Sequence, residues 1–370
     1  MSKTTDQLTW AVVIPTYQRQ AVLLRCLRCI AQQTLSPQEV IVVDASPDWQ
    51  STRDQVQQEL AVQYPTIDWQ YVPASRASSA AQRNQGIDLT HAEIIFLIDD
   101  DSFMYPNCAE EVVRIYAQDT EHQVAGIMPF LEPLPPDSQP NRQKTNHTNN
   151  PKYFNLFNKL TIFRTKLRAI AKRLIKDDDI FIPYDFVFPK YTLPETLKNL
   201  AVHPVPMIHG ARMSYRREIL TQVRFEETLE RYAVNEDNDV CYRASRLGML
   251  LHALTARICH IETGEGRLTR LTTNALWGLN QAVLHRFHSA DLPRFKKLFL
   301  KLLWRRLVTQ TIKDILDRRW TLPSTRGLWL VLRYRDEIFS RTPAELRAWY
   351  PQFQQNLIQR DKQERRQWRK

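Results

Sequence analysis

Glycine is scarce in this chain, with only eight in 370 residues. Loops that wrap a phosphate in backbone N–H donors are built from closely spaced glycines, and neither G-x-G-x-x-G nor G-x-x-x-x-G-K-[ST] occurs anywhere. Dehydrogenase and P-loop readings are therefore excluded, and a cation becomes the expected partner of any bound phosphate. Cysteine is sparse too. Cys26, Cys29, Cys108, Cys241 and Cys259 are odd in number and scattered, which argues for a reducing compartment and against a disulfide framework. Cys26 and Cys29 form a C-x-x-C, but inside a helical pattern with no second ligand pair, so they are read as core rather than as a zinc or redox site. No apolar run reaches the roughly 20 residues that span a bilayer. The first residues show no charged segment followed by an apolar core, so no secretory signal is expected and the cytoplasm is the expected location.

Negative charge is unevenly spread. The net charge is +11, yet residues 291–370 hold twenty Lys and Arg against eight Asp and Glu, or +12, which leaves the first 290 residues at −1. In that tail Phe295, Leu298, Phe299, Leu302, Leu303 and Leu307 recur at helical spacing among Lys296, Lys297, Lys301, Arg305 and Arg306. Such a helix either packs its apolar side on the protein or lays it in an anionic lipid interface, peripheral to the inner face of a membrane. No nucleic-acid motif is present, and no nucleic-acid partner is expected.

What the chain does hold is strands that end in polar groups. Ile94 to Ile98 is too short for a helix and rich in β-branched residues, as in a strand buried on both faces of a mostly parallel sheet. It runs into Asp99-Asp100-Asp101. Ligands of open α/β sheets collect beyond the carboxyl ends of the strands, and three adjacent carboxylates repel one another until a divalent cation relieves them. A solvated acidic turn is the alternative. Upstream, Trp10 to Ile14 and Val40 to Val43 read as strands that end at Pro15-Thr16-Tyr17 and Asp44-Ala45-Ser46, with Val22, Leu23, Cys26, Leu27 and Ile30 at helical spacing between them, one βαβ unit. A polar helix over 51–64, a strand over 68–72 and a helix over 77–86 complete an α/β half-domain of nucleotide-binding type. Asp119 is read as a surface residue.

Residues 131–151 read as a Pro- and Asn-rich loop, and 152–176 as a basic amphipathic segment with eight basic residues and no acidic one. A second constellation follows. His209-Gly210-Ala211-Arg212 is a small turn suited to close approach of a substrate, leading into a strand and a basic helix start. Asn235-Glu236-Asp237-Asn238-Asp239 opens a helix that stops at Gly248, and its carboxylates are either a helix cap or a catalytic group. Leu250 to Cys259 reads as a strand that ends at His260.

Taken in order, the Pro15-Thr16-Tyr17 and Asp44 strand ends, the Gln82-Arg83-Asn84-Gln85-Gly86 segment, Asp99-Asp100-Asp101, the Gly-Ala-Arg-Met turn, Glu236-Asp237-Asn238-Asp239 and the strand-end His260 resemble a family 2 glycosyltransferase of the GT-A fold. The resemblance runs from about Val12 to His260. It implies a GT-A nucleotide-binding domain with a mostly parallel central sheet over 1–270, carrying an insertion over about 131–200, and a basic, mostly helical region over 271–370. Pro15, Thr16, Tyr17, Asp44, Arg83, Asn84, Asp99 and Asp100 would bind the donor, with Asp44 accepting from a pyrimidine base. Asp101, with Asp99 and His260, would hold Mg²⁺ or Mn²⁺. Gly210, Ala211, Arg212 and Glu236 would line the acceptor side, and Asp237 would be the catalytic base. Two departures stand out: Ala45 fills a position that is usually acidic, and Phe225-Glu226-Glu227 replaces a more usual Phe-Asp-Glu.

The implied reaction is transfer of a hexose from a nucleotide diphosphate, UDP or dTDP favoured, to a saccharide or lipid-linked acceptor hydroxyl with inversion, in polysaccharide or glycolipid assembly. A sugar-phosphate nucleotidyltransferase would need a glycine-rich signature after the first strand, where Pro15-Thr16-Tyr17-Gln18-Arg19 stands. A basic non-enzymatic protein that binds anionic lipid or nucleic acid through its tail is the reading outside enzymes.

Overall fold

The computed structural model describes residues 8–137, 181–261 and 268–368, and the side chains up to 363. These residues fall into two compact units, 8–137 with 188–261, and 181–187 with 268–368.

In the first unit, β1 (Trp10–Thr16) is followed by α1 (Gln20–Ala31), β2 (Glu39–Asp44), α2 (Trp49–Val56), β3 (Asp68–Pro73), α3 (Ser79–Leu89) and β4 (Ile94–Ile98). Next come β5 (Ser102–Met104), α4 (Cys108–Gln118), β6 (Val124–Glu132), β7 (Val202–Pro204) and β8 (Arg212–Arg216). The unit closes with α5 (Arg217–Gln222), α6 (Glu236–Ala244) and β9 (Met249–His260).

β1 shows why this is a layered α/β fold. Trp10, Ala11, Val12, Val13 and Ile14 are all fully buried, so both faces of the strand need cover. Trp10, Val12 and Ile14 join one apolar cluster with Leu23, Leu27 and Ile30 of α1 and with Val112 and Tyr116 of α4. On the opposite face α3 presses in so closely that a Cβ on Gly86 would lie 2.2 Å from Val13 Cγ1, which only glycine permits. The sheet runs β3-β2-β1-β4-β8-β6-β9-β5, with β7 on β9. β1, β2, β3 and β4 are mutually parallel, β8 is antiparallel to β4 and β6, and β9 is parallel to β6. Six of the nine strands therefore share one direction, and β5, β7 and β8 oppose it. This is the expected α/β class with a mostly parallel sheet.

Boundaries differ from the sequence reading in three places. The polar helix begins earlier, at Trp49, and after Val56 continues as a π turn over Gln57–Ala61. The third helix runs from Ser79 to Leu89. Leu131 and Glu132 are strand rather than loop, because β6 stays paired to Ile258 and Cys259 after a register shift at Pro129/Phe130. The basic segment 152–176 lies outside the described residues. Asp119 is not at the surface: it is buried, its carboxylate accepts from Gln123 N and Val124 N, and it pairs with Arg216 at 2.9 Å.

The second unit is helical, with α7 (Arg270–His288), α8 (Leu292–Leu316), α9 (Pro323–Ser340) and α10 (Pro343–Trp368). Phe295, Phe299, Leu302, Leu303 and Leu307 of α8 are buried, so the apolar stripe read from the sequence is core except for Leu298, which is exposed. Asp314, fully buried, caps α9: its carboxylate accepts from Ser324 N at 2.8 Å and Thr325 N at 3.2 Å, and Arg319 neutralises it at 2.9 Å.

Candidate active site

The parallel register sets Thr16 beside Asp44, so the first two strands end together. Beyond them opens a cavity of about 290 Å³ bounded by Thr16, Arg19, Asp44, Ser46 and Tyr71. Asp44 is oriented before any ligand arrives, since its Oδ1 accepts from Ser46 N at 2.7 Å and its Oδ2 from the Tyr71 hydroxyl at 2.5 Å. Burial and the Asp44 carboxylate hold the Tyr71 phenol protonated, well above its ordinary range. Pro15 and Tyr17 are not among the cavity's lining residues.

The acidic run divides by direction. Asp100, expected at the donor, turns inward: its carboxylate accepts from Thr16 Oγ1 at 2.7 Å and from Arg19 Nη1 at 2.8 Å. Burial pushes its pKa up to about 6 even though Arg19 and Thr16 pull it down. Asp99 and Asp101 face elsewhere. β5 pairs with β9 in the register Ser102↔His260, which brings the end of a distant strand next to Asp101. The His260 Nε2 atom lies 3.0 Å from Asp101 Oδ1 and 3.9 Å from Asp99 Oδ2. One ligand atom from each of the three falls within 4.8 Å of the others. Two carboxylate oxygens and one imidazole nitrogen suit a hard or borderline cation such as Mg²⁺ or Mn²⁺, so the residues fit the expected metal.

Arg83 joins this cluster to the second one. Its Nη2 donates to Asp99 Oδ1 at 2.8 Å and to the Gly210 carbonyl at 3.4 Å, while Nη1 pairs with Glu236. Glu236, expected on the acceptor side, is buried between Arg83 and the Ser79 hydroxyl, 2.7 Å away, so it braces the site from below. Asp237 next to it is partly exposed, with Oδ2 accepting from Gly210 N at 3.1 Å and Oδ1 from Asn238 N at 2.9 Å. A Cβ on Gly210 would stand 3.0 Å from Asp237 Oδ2, so any larger residue there would press on that carboxylate. Asp239 instead pairs with Arg243 inside the helix.

Asn84 does not join the site. Its amide closes on Phe225 O at 2.9 Å and Glu227 at 2.8 Å, and accepts from Phe225 N at 3.0 Å, which pins the segment after α5. Arg212 lies at the start of β8, where it donates to Pro129 O at 2.6 Å, and burial lowers its pKa. The Ala211 carbonyl accepts from Ser102 Oγ at 2.7 Å, tying the turn to the acidic loop.

Two residues at the site escape the sequence reading. Arg19 contacts Asp100 and, at 3.2 Å, Asp101. The signal for it was electrostatic, because three carboxylates at one strand end call for a nearby cation, and Arg19 follows the adjacent strand. Tyr71 carried no signal beyond its place near the end of the third strand.

A mostly parallel sheet of this order, with a cavity at the β1 and β2 ends and an acidic cluster after β4, is the GT-A fold. The chain belongs to glycosyltransferase family 2: a family model described as "Glycosyltransferase like family 2" matches residues 8–279. It is 29% identical over 123 residues to the uncharacterized glycosyltransferase YwdF of Bacillus subtilis (strain 168), covering 33% of this chain and 44% of that protein. It is 33% identical over 98 residues to the putative colanic acid biosynthesis glycosyl transferase WcaA of Escherichia coli (strain K12), covering 26% of this chain and 34% of that one. The chain thus spans less than half the length of these curated relatives. Among solved structures, GalNAc-T7 with UDP, GalNAc and Mn²⁺ aligns over 91% of this chain and 59% of its own with a TM-score of 0.53 and 13% identity, a likeness of fold.

Proposed function

We propose that this chain is an inverting glycosyltransferase that moves a hexose from a UDP- or dTDP-sugar to an acceptor hydroxyl, in polysaccharide or glycolipid assembly. The observation that carries the reading is the Arg83 bridge, which holds two carboxylate groups with different surroundings at a fixed spacing, Asp99 on one side and Glu236, next to Asp237, on the other. Inverting transfer needs that separation. One group must serve the leaving diphosphate and another must take the acceptor's proton.

On this reading the cavity at Thr16 and Asp44 receives the nucleotide, with Asp44 accepting from the base. Asp99, Asp101 and His260 would hold a divalent cation, which when bound would neutralise charge on the leaving diphosphate. The acceptor oxygen attacks the anomeric carbon as the bond to the diphosphate oxygen breaks, and that electron pair leaves with the diphosphate. Asp237, oriented by Gly210 N and Asn238 N, takes the acceptor proton. The likeness to WcaA supports a polysaccharide setting, and the absence of a glycine-rich phosphate loop after β1 speaks against a nucleotidyltransferase.

Calorimetric titration of UDP with and without EDTA tests the reading, together with the anomeric configuration of the product by NMR. Cation-dependent binding and an inverted product are expected. Equal affinity in EDTA would remove the metal's role, and a retained configuration would remove Asp237 as base.

A further inference from the structure

The helical unit keeps one set of apolar side chains for its core and leaves another in solvent. Along α8, Lys297, Lys301, Trp304, Val308 and Ile315 follow one another at spacings of four, three, four and seven, which is one side of a helix, and all five are exposed. The buried stripe of Phe295, Phe299, Leu302, Leu303 and Leu307 lies on another side. On α9, Trp329 sets its ring edge-on to Trp304, with centroids 6.3 Å apart and planes at 85°. Trp304 remains 48% exposed and Trp329 53%, and Trp320, in the turn between the two helices, is 73% exposed. Arg326 and Arg333, about one turn before and after Trp329, are exposed as well.

Scattered exposed apolar residues are normal on a soluble protein, but a continuous aromatic and aliphatic strip marks an interaction surface. Charge selects the occupant. The region from 291 to 370 carries +12, so a second copy would bring like charge against like charge. A stacked base needs an open ring face beside cations, and here two of the rings are set edge to face against each other. Tryptophan rings with Lys and Arg in the same strip match the boundary of an anionic bilayer, where rings sit at headgroup depth and cations meet phosphate.

We propose that the α8–α9 face centred on Trp304 and Trp329 is a docking surface for an anionic lipid bilayer. This stands on the surface alone and is independent of the reaction assigned above. Arg or Lys beside such a leaflet contributes about 1 kcal/mol, or about fivefold in partitioning, per residue. Because screening weakens these contacts, the attachment is reversible by salt.

The full chain is sedimented with vesicles of phosphatidylcholine alone and of equal parts phosphatidylcholine and phosphatidylglycerol, each at low and high salt. Sedimentation with the anionic vesicles only, lost at high salt, is expected. The Trp304→Ser/Trp329→Ser pair should lower partitioning by about tenfold or more, and the Lys297→Gln/Lys301→Gln pair by about fivefold for each residue changed. The lysine pair is exposed and should keep the unsubstituted melting temperature, whereas the tryptophan pair also loses its own ring contact and should melt somewhat lower, so a melt of each variant confirms that it is folded at the assay temperature. Retention of the full chain in the supernatant with anionic vesicles at low salt would overturn the proposal, as would unchanged binding by the tryptophan pair. Dimerisation or oligonucleotide binding that this pair abolishes, with vesicles left unbound, would overturn it in favour of a second copy or a nucleic acid.

Discussion

Arg83 donates to Asp99 at 2.8 Å, and the same guanidinium pairs with Glu236, which belongs to a helix 153 residues further on in sequence. Arg83 and Glu236 are both buried, so removing the cation strands a carboxylate in a low dielectric. Arg83→Met is expected to cost about 3–5 kcal/mol in a urea unfolding curve. The double substitution Arg83→Met/Glu236→Gln, which removes the stranded charge, should recover part of that loss. If the double variant is no more stable than Arg83→Met, the bridge is not what Arg83 contributes.

Asp237→Asn should leave UDP affinity near its starting value and lower turnover by about 10²-fold or more, the low end of a general-base contribution. Gly210→Ala tests the same group from outside, because the added methyl must displace the carboxylate it meets at 3.0 Å. A fall in kcat with little change in donor KM is expected for both. Near-normal turnover by Asp237→Asn would place the base elsewhere.

His260→Leu removes one of the three proposed metal ligands. Outer-shell partners of metal sites cost 10–100-fold in affinity when lost, and a direct ligand should cost no less. Titration with Mn²⁺, followed by its electron paramagnetic resonance signal, measures this without turnover. Asp68→Asn, exposed on β3, serves as the control, since Asp119 is buried in its pair with Arg216.

In the helical unit His285 is buried, with its ring stacked on Phe295 at 3.6 Å between centroids. Its Nε2 lies 2.8 Å from Ile182 O, and a carbonyl only accepts, so the proton is on Nε2. Nδ1 is buried without a hydrogen-bond partner, and charging the ring would add a donor there. Burial, helped by His288, brings its pKa down to about 3 from an ordinary 6.5. A value depressed by folding contributes stability that is present above pH 6.5 and is lost as pH falls toward 3, on the order of 5 kcal/mol in all. The melting temperature should therefore drop between these pH values, and His285→Phe should flatten that slope. An equal slope in the variant would assign the acid loss to other groups.

The strand ends were legible because they are local. A short apolar run and the polar residue that stops it lie within a few positions, so Thr16, Asp44 and Asp99 could be placed from β1, β2 and β4 alone. The direction of each side chain was not. Asp100 turns inward because Thr16 and Arg19 reach it from a strand eighty positions earlier, and no period in the sequence reports that. Asn84 and Arg83 are neighbours on one helix, about 100° apart around its axis, and only the register of the helix against the sheet decides which faces the acidic cluster. His260 was visible as a strand end, yet its meeting with Asp101 rests on the antiparallel β5/β9 pairing, which no hairpin signal announces. The exposed tryptophans of α8 and α9 were hidden for the opposite reason: in a helix with apolar residues on several sides, spacing does not say which side the core takes.

The β9 strand pairs with β5, β6 and β7, so it is stitched to segments made long before it. Pairings of such sequence separation are slow, because the intervening chain must lose its freedom before any contact repays it. During synthesis Asp99 and Asp101 precede His260, which comes near the end of this unit. The nascent chain therefore carries its three adjacent carboxylates, tempered by Arg19 and Arg83, while the 159 residues from Asp101 to His260 are made. The imidazole that completes the cluster arrives with the last strand, and a chain interrupted before β9 would expose an acidic strand end without it.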